Sequence, residues 1–224
     1  MEKSNIDEKI KLLTGSGMWH TQEVEGLPSV HLSDGPHGLR KQEEKERQNN
    51  VSLVSTCYPT ASALACSWDV TAAERLGRAV AKEAWNADVA VLLGPGINMK
   101  RSPLCGRNFE YFSEDPFLAG RLGAAYVSAA QGEDVAVSLK HFAANNQETN
   151  RQTSNSQIDE RALREIYLSA FEYVVKTARP ATVMASYNRL NGYYACENRH
   201  LLTEILREEW GFDGVVISDW RACE

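Results

Sequence analysis

Cysteine is scarce in this chain, five in 224 residues, and Cys57, Cys66, Cys105, Cys196 and Cys223 form no CxxC pair. Such scatter argues against a disulfide framework or a zinc site and reads as reduced thiols in a cytoplasmic protein. Long apolar runs are missing too. Nothing approaches the 18 residues of a membrane span, and the opening MEKSNIDEKIKLLTG lacks the apolar core of a secretory signal. Positive charge is in deficit, with 24 Lys and Arg against 30 Asp and Glu for a formal charge of −6. That balance gives no general attraction to phosphate backbones or anionic lipid, so neither nucleic acid nor membrane is expected as a partner. What remains, 43% hydrophobic and 24% charged, is the mixture of a globular domain that buries a core.

Short apolar runs alternate with longer segments of helical period. The runs are SVHLSD (29–34), ALACS (63–67), VAVLLGP (89–95), VAVSLKH (135–141), TVMASY (182–187) and GVVISD (214–219). Several are apolar at consecutive positions, as in parallel strands covered on both faces. Between them, Thr71 and Glu74 suggest a capping box ahead of a stripe of Leu76, Val80 and Ala84. Asp115 with Pro116 starts a second helix that Gly132 stops. From Asp159 the positions Leu163, Ile166, Tyr167, Ala170, Phe171 and Val174 predict a third apolar stripe, and 200–210 predicts a shorter helix ended by Gly211. The polar stretch KQEEKERQNN (41–50) reads as a solvated loop. This alternation predicts an α/β fold with about six strand–helix units. Residues capable of chemistry recur at the C-terminal ends of the runs, which favours a TIM-like (β/α) barrel, where those ends share one mouth.

Asp219 ends one run and is followed by Trp220. It reads either as a cap for a following helix or as a carboxylate beside an aromatic sugar platform, placed to attack an anomeric carbon. Lys140 and His141 end another run and are expected to point into the mouth, where Lys140 also offers a Schiff-base reading. In SDGPHGLR the Gly and Pro make a tight turn, and Asp34 with Arg40 forms a bidentate pair or binds vicinal hydroxyls. Arg107 is a salt-bridge partner or a ligand contact, and NNQETNR (145–151) is a hydrogen-bonding loop or a polar surface turn.

Taken together, SDGPHGLR, SPLCGRNFEYFSEDP, KHFAANNQETNR, VMASYNRLNG and GFDGVVISDW resemble the N-terminal catalytic domain of the family 3 glycoside hydrolases, in particular the bacterial β-glucosidases. The resemblance runs over about 12–220. It implies a TIM-like barrel, hydrolysis of β-linked glycosides from the non-reducing end with retention, and no metal or organic cofactor. By position, Asp219 matches the family's nucleophile and Asp34 the carboxylate that holds hydroxyls of the terminal sugar. Arg107, Lys140 and His141 match residues that bind that sugar, and Arg40, Arg151, Met184, Tyr187 and Trp220 match positions that line or support its pocket.

The ending RACE differs from the small residues that usually follow SDW in the family, and a full barrel has eight strands. The resemblance therefore implies that residues 1–224 are an incomplete barrel domain, lacking later strand–helix units and a second domain that usually supplies the acid/base Glu. No residue here matches that Glu; Glu110 and Glu148 are carboxylates without an assigned role. The chain thus reads as part of a longer or split enzyme, with a non-catalytic carbohydrate-binding remnant and a Schiff-base lyase on Lys140 as the alternatives.

Overall fold

The computed structural model describes residues 6–42 and 51–223. Five parallel strands make one sheet in the order β1 (Leu32–Asp34), β2 (Val91–Leu93), β3 (Ala136–Phe142), β4 (Thr182–Ala185) and β5 (Val215–Ser218). The register runs Leu32 to Val91, Val91 to Ala136, Ser138 to Thr182, and Thr182 to Val215. Spatial order follows chain order throughout, as in a strand–helix barrel, and β1 and β5 remain edges among the described residues.

The consecutive apolar runs are explained by two separate cores. Leu92, Val137, Leu139 and Val183 face the helices in the main core. Val91, Leu93 and Met184 face the other way and form a smaller cluster with Leu32, Ala136, Ile217, Trp19 and Trp220. The strand side chains alternate between the two, as the pleat requires.

The main core is built on helices α1 (Val70–Asn86), α2 (Pro116–Gln131) and α3 (Ser169–Ala178). Leu76, Val80 and Ala84 are buried on α1 as the stripe predicts, and Asp115 caps α2 by accepting from the Phe117 N–H at 2.9 Å. Gly77 lets α1 and α2 meet: a Cβ there would lie 2.5 Å from the Tyr126 carbonyl oxygen.

Four expectations need correction. ALACS is not a strand; Ala61–Ala65 is a short helix, so among the described residues the parallel sheet has five strands rather than six, and three two-residue strands, Asn155–Ser156, Arg189–Leu190 and Tyr193–Tyr194, pair in a separate small sheet. The Thr60 hydroxyl accepts from the Ala63 N–H at 3.2 Å, and Ala61, Leu64 and Ala65 then bury one helical face. Asp69 rather than Thr71 caps α1, accepting from the Thr71 N–H at 2.8 Å, so the helix starts at Val70, two residues earlier than a Thr71 cap allows. Ile166 falls off the third stripe and is 39% exposed, whereas Leu168 is fully buried. A π-helical turn over Leu163–Tyr167, closed by Leu168 N–H to the Leu163 carbonyl at 2.9 Å, shifts the apolar face at that point. Finally, the helix His200–Glu209 is also π-wound, although Gly211 ends it in the left-handed region (φ 73°) as expected. Of the polar loop 41–50, residues 43–50 lie outside the described residues.

Candidate active-site pocket

The C-terminal ends of the strands surround a cavity of about 190 Å³. It is lined by Asp34, Arg40, Arg107, Lys140, His141, Arg151, Met184, Tyr187, Asp219 and Trp220, so every site residue expected from the sequence lies on one wall or another. Trp19 and Leu93 also line it and were not expected. The volume lies below the roughly 300–1,000 Å³ range of drug-sized pockets.

Local backbone explains the convergence. Asp34 ends β1 and enters a turn in which Gly35 has φ 122°, and a Cβ there would sit 2.1 Å from the Gly38 carbonyl oxygen. The turn returns the chain so that the Arg40 N–H donates to the Asp34 carbonyl at 2.9 Å. Lys140 and His141 are sequence neighbours and would face opposite sides of a regular strand. The ladder between β3 and β4 shifts register between Leu139 and Phe142, and both side chains line the pocket. Asn98 fixes that stretch by accepting from the His141 N–H at 2.6 Å and donating to the His141 carbonyl at 2.8 Å.

One side of the pocket is saturated with charge pairs. Lys140, 3% exposed, donates to Asp34 Oδ1 at 2.8 Å and lies 3.7 Å from Glu110 Oε2. Arg40 reaches Asp34 Oδ2 at 3.3 Å through one nitrogen, so their pairing is single rather than bidentate. Arg107 is both salt-bridge partner and lining residue: its Nε is paired with Glu110 Oε1, and its second terminal nitrogen contacts His141 Nε2 at 2.9 Å. Burial alone pushes the Asp34 carboxyl up, but Lys140, Arg40 and the Gly35 N–H overcome it and hold the group at about 2.

His141 is held in one neutral form. A guanidinium has no acceptor, so Nε2 must accept from Arg107, and Nδ1 then carries the proton toward the Tyr111 hydroxyl at 2.9 Å. Burial first, then the neighbouring Arg107, Lys140 and Arg151 charges, keeps its pKa well below the ordinary range.

Asp219 lies on the opposite, poorly paired side. Oδ1 accepts the Trp220 N–H at 2.8 Å, while Oδ2 is buried and accepts no hydrogen bond. Its nearest charged-pair geometry is 3.7 Å to His141 Nε2, a nitrogen with no proton to give. Burial raises the Asp219 pKa, and the Trp220 N–H, Tyr187, Arg107 and Lys140 offset that only in part. Burial and the adjacent Asp219 charge push Tyr187 to about 12. Arg151 stacks 4.4 Å over the Tyr187 ring and donates to Glu148 at 2.9 Å. In the same loop Asn145 is buried and donates to Tyr111 and Glu148, so 145–151 is a hydrogen-bonding loop.

The profile described as "Glycosyl hydrolase family 3 N terminal domain" matches residues 36–224. The chain is 53% identical to a thermostable beta-glucosidase B of Acetivibrio thermocellus, covering 99% of this chain and 30% of that protein. It is 51% identical to an exo-alpha-(1->6)-L-arabinopyranosidase of Bifidobacterium longum, over 97% of this chain and 29% of the relative. Among solved structures, beta-glucosidase 3B from Thermotoga neapolitana in complex with glucose superposes with a TM-score of 0.91 at 43% identity, covering 97% of this chain and 33% of that one. The chain belongs to the glycoside hydrolase family 3 N-terminal domain family, and its fold is the family's TIM-like α/β fold. It spans about 30% of the length of these relatives.

Proposed function

We propose that this chain carries the glycone pocket and the nucleophile of a retaining β-glucosidase. Asp219 Oδ2 supports this reading most directly: a buried carboxylate oxygen without a hydrogen-bond partner, in a pocket otherwise rich in donors, is a nucleophile that no neighbour occupies. Attack on the anomeric carbon forms a glycosyl ester with Asp219, which water then hydrolyses. The charged side holds the sugar: Asp34 accepts from hydroxyls, while Arg107 has a buried terminal nitrogen free to donate. The relatives' names leave the sugar open between a glucoside and an arabinopyranoside, and we take glucose as the first test.

Retention also needs a second carboxyl group about 5–5.5 Å away to protonate the leaving oxygen. Asp34 and Glu110 are committed to Lys140, Arg40 and Arg107, so neither is assigned that role. Those pairings favour a second reading, a carbohydrate-binding domain without turnover. The Schiff-base reading fares worse, because Lys140 is ion-paired with Asp34 and Glu110 rather than presented as a free amine.

The test is 2,4-dinitrophenyl β-D-glucopyranoside, whose leaving group needs no proton. We expect dinitrophenolate release and a covalent sugar on the Asp219 peptide by mass spectrometry, with release falling by about 10³-fold or more in Asp219→Asn. Saturable binding without release points to the binding domain instead.

A further inference from the structure

Beside the pocket, and sharing Tyr187 with it, lies a wider cavity of about 720 Å³. Two of the residues lining it are thiols, Cys196 and Cys223, from separate parts of the chain. Cys196 is half-buried in the short turn Ala195–Glu197, and Cys223 is exposed on the turn that follows Asp219. Cys196 Sγ donates to the Ala222 carbonyl at 3.2 Å, the peptide group directly before Cys223. That contact holds both thiols on one wall of the cavity, which Cys57, Cys66 and Cys105 do not line. The Cys223 thiol is near enough to act on its partner: burial first, then Cys223, pushes the Cys196 thiol up to about 11. The turn that joins Asp219 to Cys223 is strained, with Arg221 in the left-handed region at φ 64° and the Ala222 N–H donating to the Asp219 carbonyl at 3.0 Å.

We propose that Cys196 and Cys223 form a redox modification site, closed to a disulfide by exchange with a low-molecular-weight disulfide and reopened by the corresponding thiol. The inference is independent of what the pocket hydrolyses. The exposed Cys223 thiolate attacks one sulfur of the small disulfide, forming a mixed disulfide and releasing one small thiolate. Cys196, as its thiolate, then attacks the Cys223 sulfur, forms the internal bond and releases the second small thiolate. Two protein thiols are oxidised, one small disulfide is reduced to two thiols, and the two protein protons pass to the released thiolates. The asymmetry of the pair favours closure. Attack on the exposed Cys223 sulfur of the closed bond would have to expel Cys196, whose raised pKa makes it a poor leaving group. Closure joins the strained turn behind Asp219 to the Ala195–Glu197 turn, fixing covalently what one S–H to carbonyl contact holds in the reduced chain.

The test treats the full 224-residue chain with oxidised glutathione and maps its peptides by mass spectrometry without reduction. The expected product is a peptide pair joined through Cys196 and Cys223, with no glutathione kept on either residue, and reduced glutathione is expected to reverse it. Thermal unfolding of the oxidised chain is expected to lie about 5 °C or more above that of the reduced chain. Cys223→Ser, at an exposed position, is expected to fold and to lose both the cross-link and the thermal gain. Cys196→Ser is expected to trap a stable glutathione adduct on Cys223, because the thiol that displaces it is gone. If Cys196→Ser fails to fold, Cys223→Ser carries the test by itself. Glutathione retained on Cys223 of the unaltered chain, or a cross-link from Cys223 to Cys57, Cys66 or Cys105, overturns the pairing. A Cys196–Cys223 cross-link with an unchanged melting temperature overturns the fastening of the turn.

Discussion

Asp34 and Asp219 line the same small cavity and are displaced in opposite directions. Both lose water on burial. Asp34 regains more than it loses, from an ammonium at 2.8 Å and a guanidinium at 3.3 Å. Asp219 receives one backbone N–H and the support of Tyr187, and its Oδ2 keeps no hydrogen-bond partner. Their difference separates two tasks within one pocket. A carboxylate that must hold a neutral ligand is fixed by cations, while one that must attack is left with an open lone pair. The saturated side contributes to stability and the open side subtracts from it.

The largest test of that contrast is Asp34→Asn. It leaves Lys140 buried with only Glu110 at 3.7 Å, and denaturant unfolding is expected to show a loss of about 3 kcal/mol. A loss below about 1 kcal/mol would mean that solvent already screens the pair.

Acid titration has the next largest effect. Between its ordinary value of 3.8 and about 2, Asp34 binds fewer protons in the folded chain than in the unfolded one. Its contribution, about 2 kcal/mol, is fully present above pH 3.8 and is lost as pH falls through about 2. Asp219 has the opposite sign: its raised folded pKa means that protonation relieves a buried charge, so falling pH favours the folded state through this group. Melting temperatures measured across the acid range should lose the Asp34 limb in Asp34→Asn and steepen it in Asp219→Asn.

The smallest expected change is the stability of Asp219→Asn itself at neutral pH, a gain of about 1 kcal/mol from neutralising an unpaired buried carboxylate. A clear loss of stability would break the comparison, since it would show that Asp219 is held by contacts as Asp34 is.

Much of this was legible in the sequence, for identifiable reasons. Lys140, His141 and Asp219 stand at the ends of apolar runs, and strand ends in such folds converge, so the runs themselves placed them. Asp34 and Arg40 were marked by the Gly and Pro that turn the chain between them. The Ala-rich run 63–67 misled because a short apolar segment has no period long enough to separate strand from helix, and only the Thr60 cap decides it. Ile166 misled because the 3.6-residue period does not register an inserted π turn. Trp19 was invisible for another reason: it belongs to no regular strand or helix, and only the arrangement of the two sheet edges brings it to Trp220.

The slip in the β3–β4 ladder between Leu139 and Phe142 has a consequence for variation in length. Because that irregularity falls where two adjacent side chains share the cup, removing a single residue there would straighten the ladder and turn one of them toward the helices. The stretch should therefore tolerate replacement of a residue far better than loss of one, and a shortened chain would forfeit either the ammonium or the imidazole, whatever its composition.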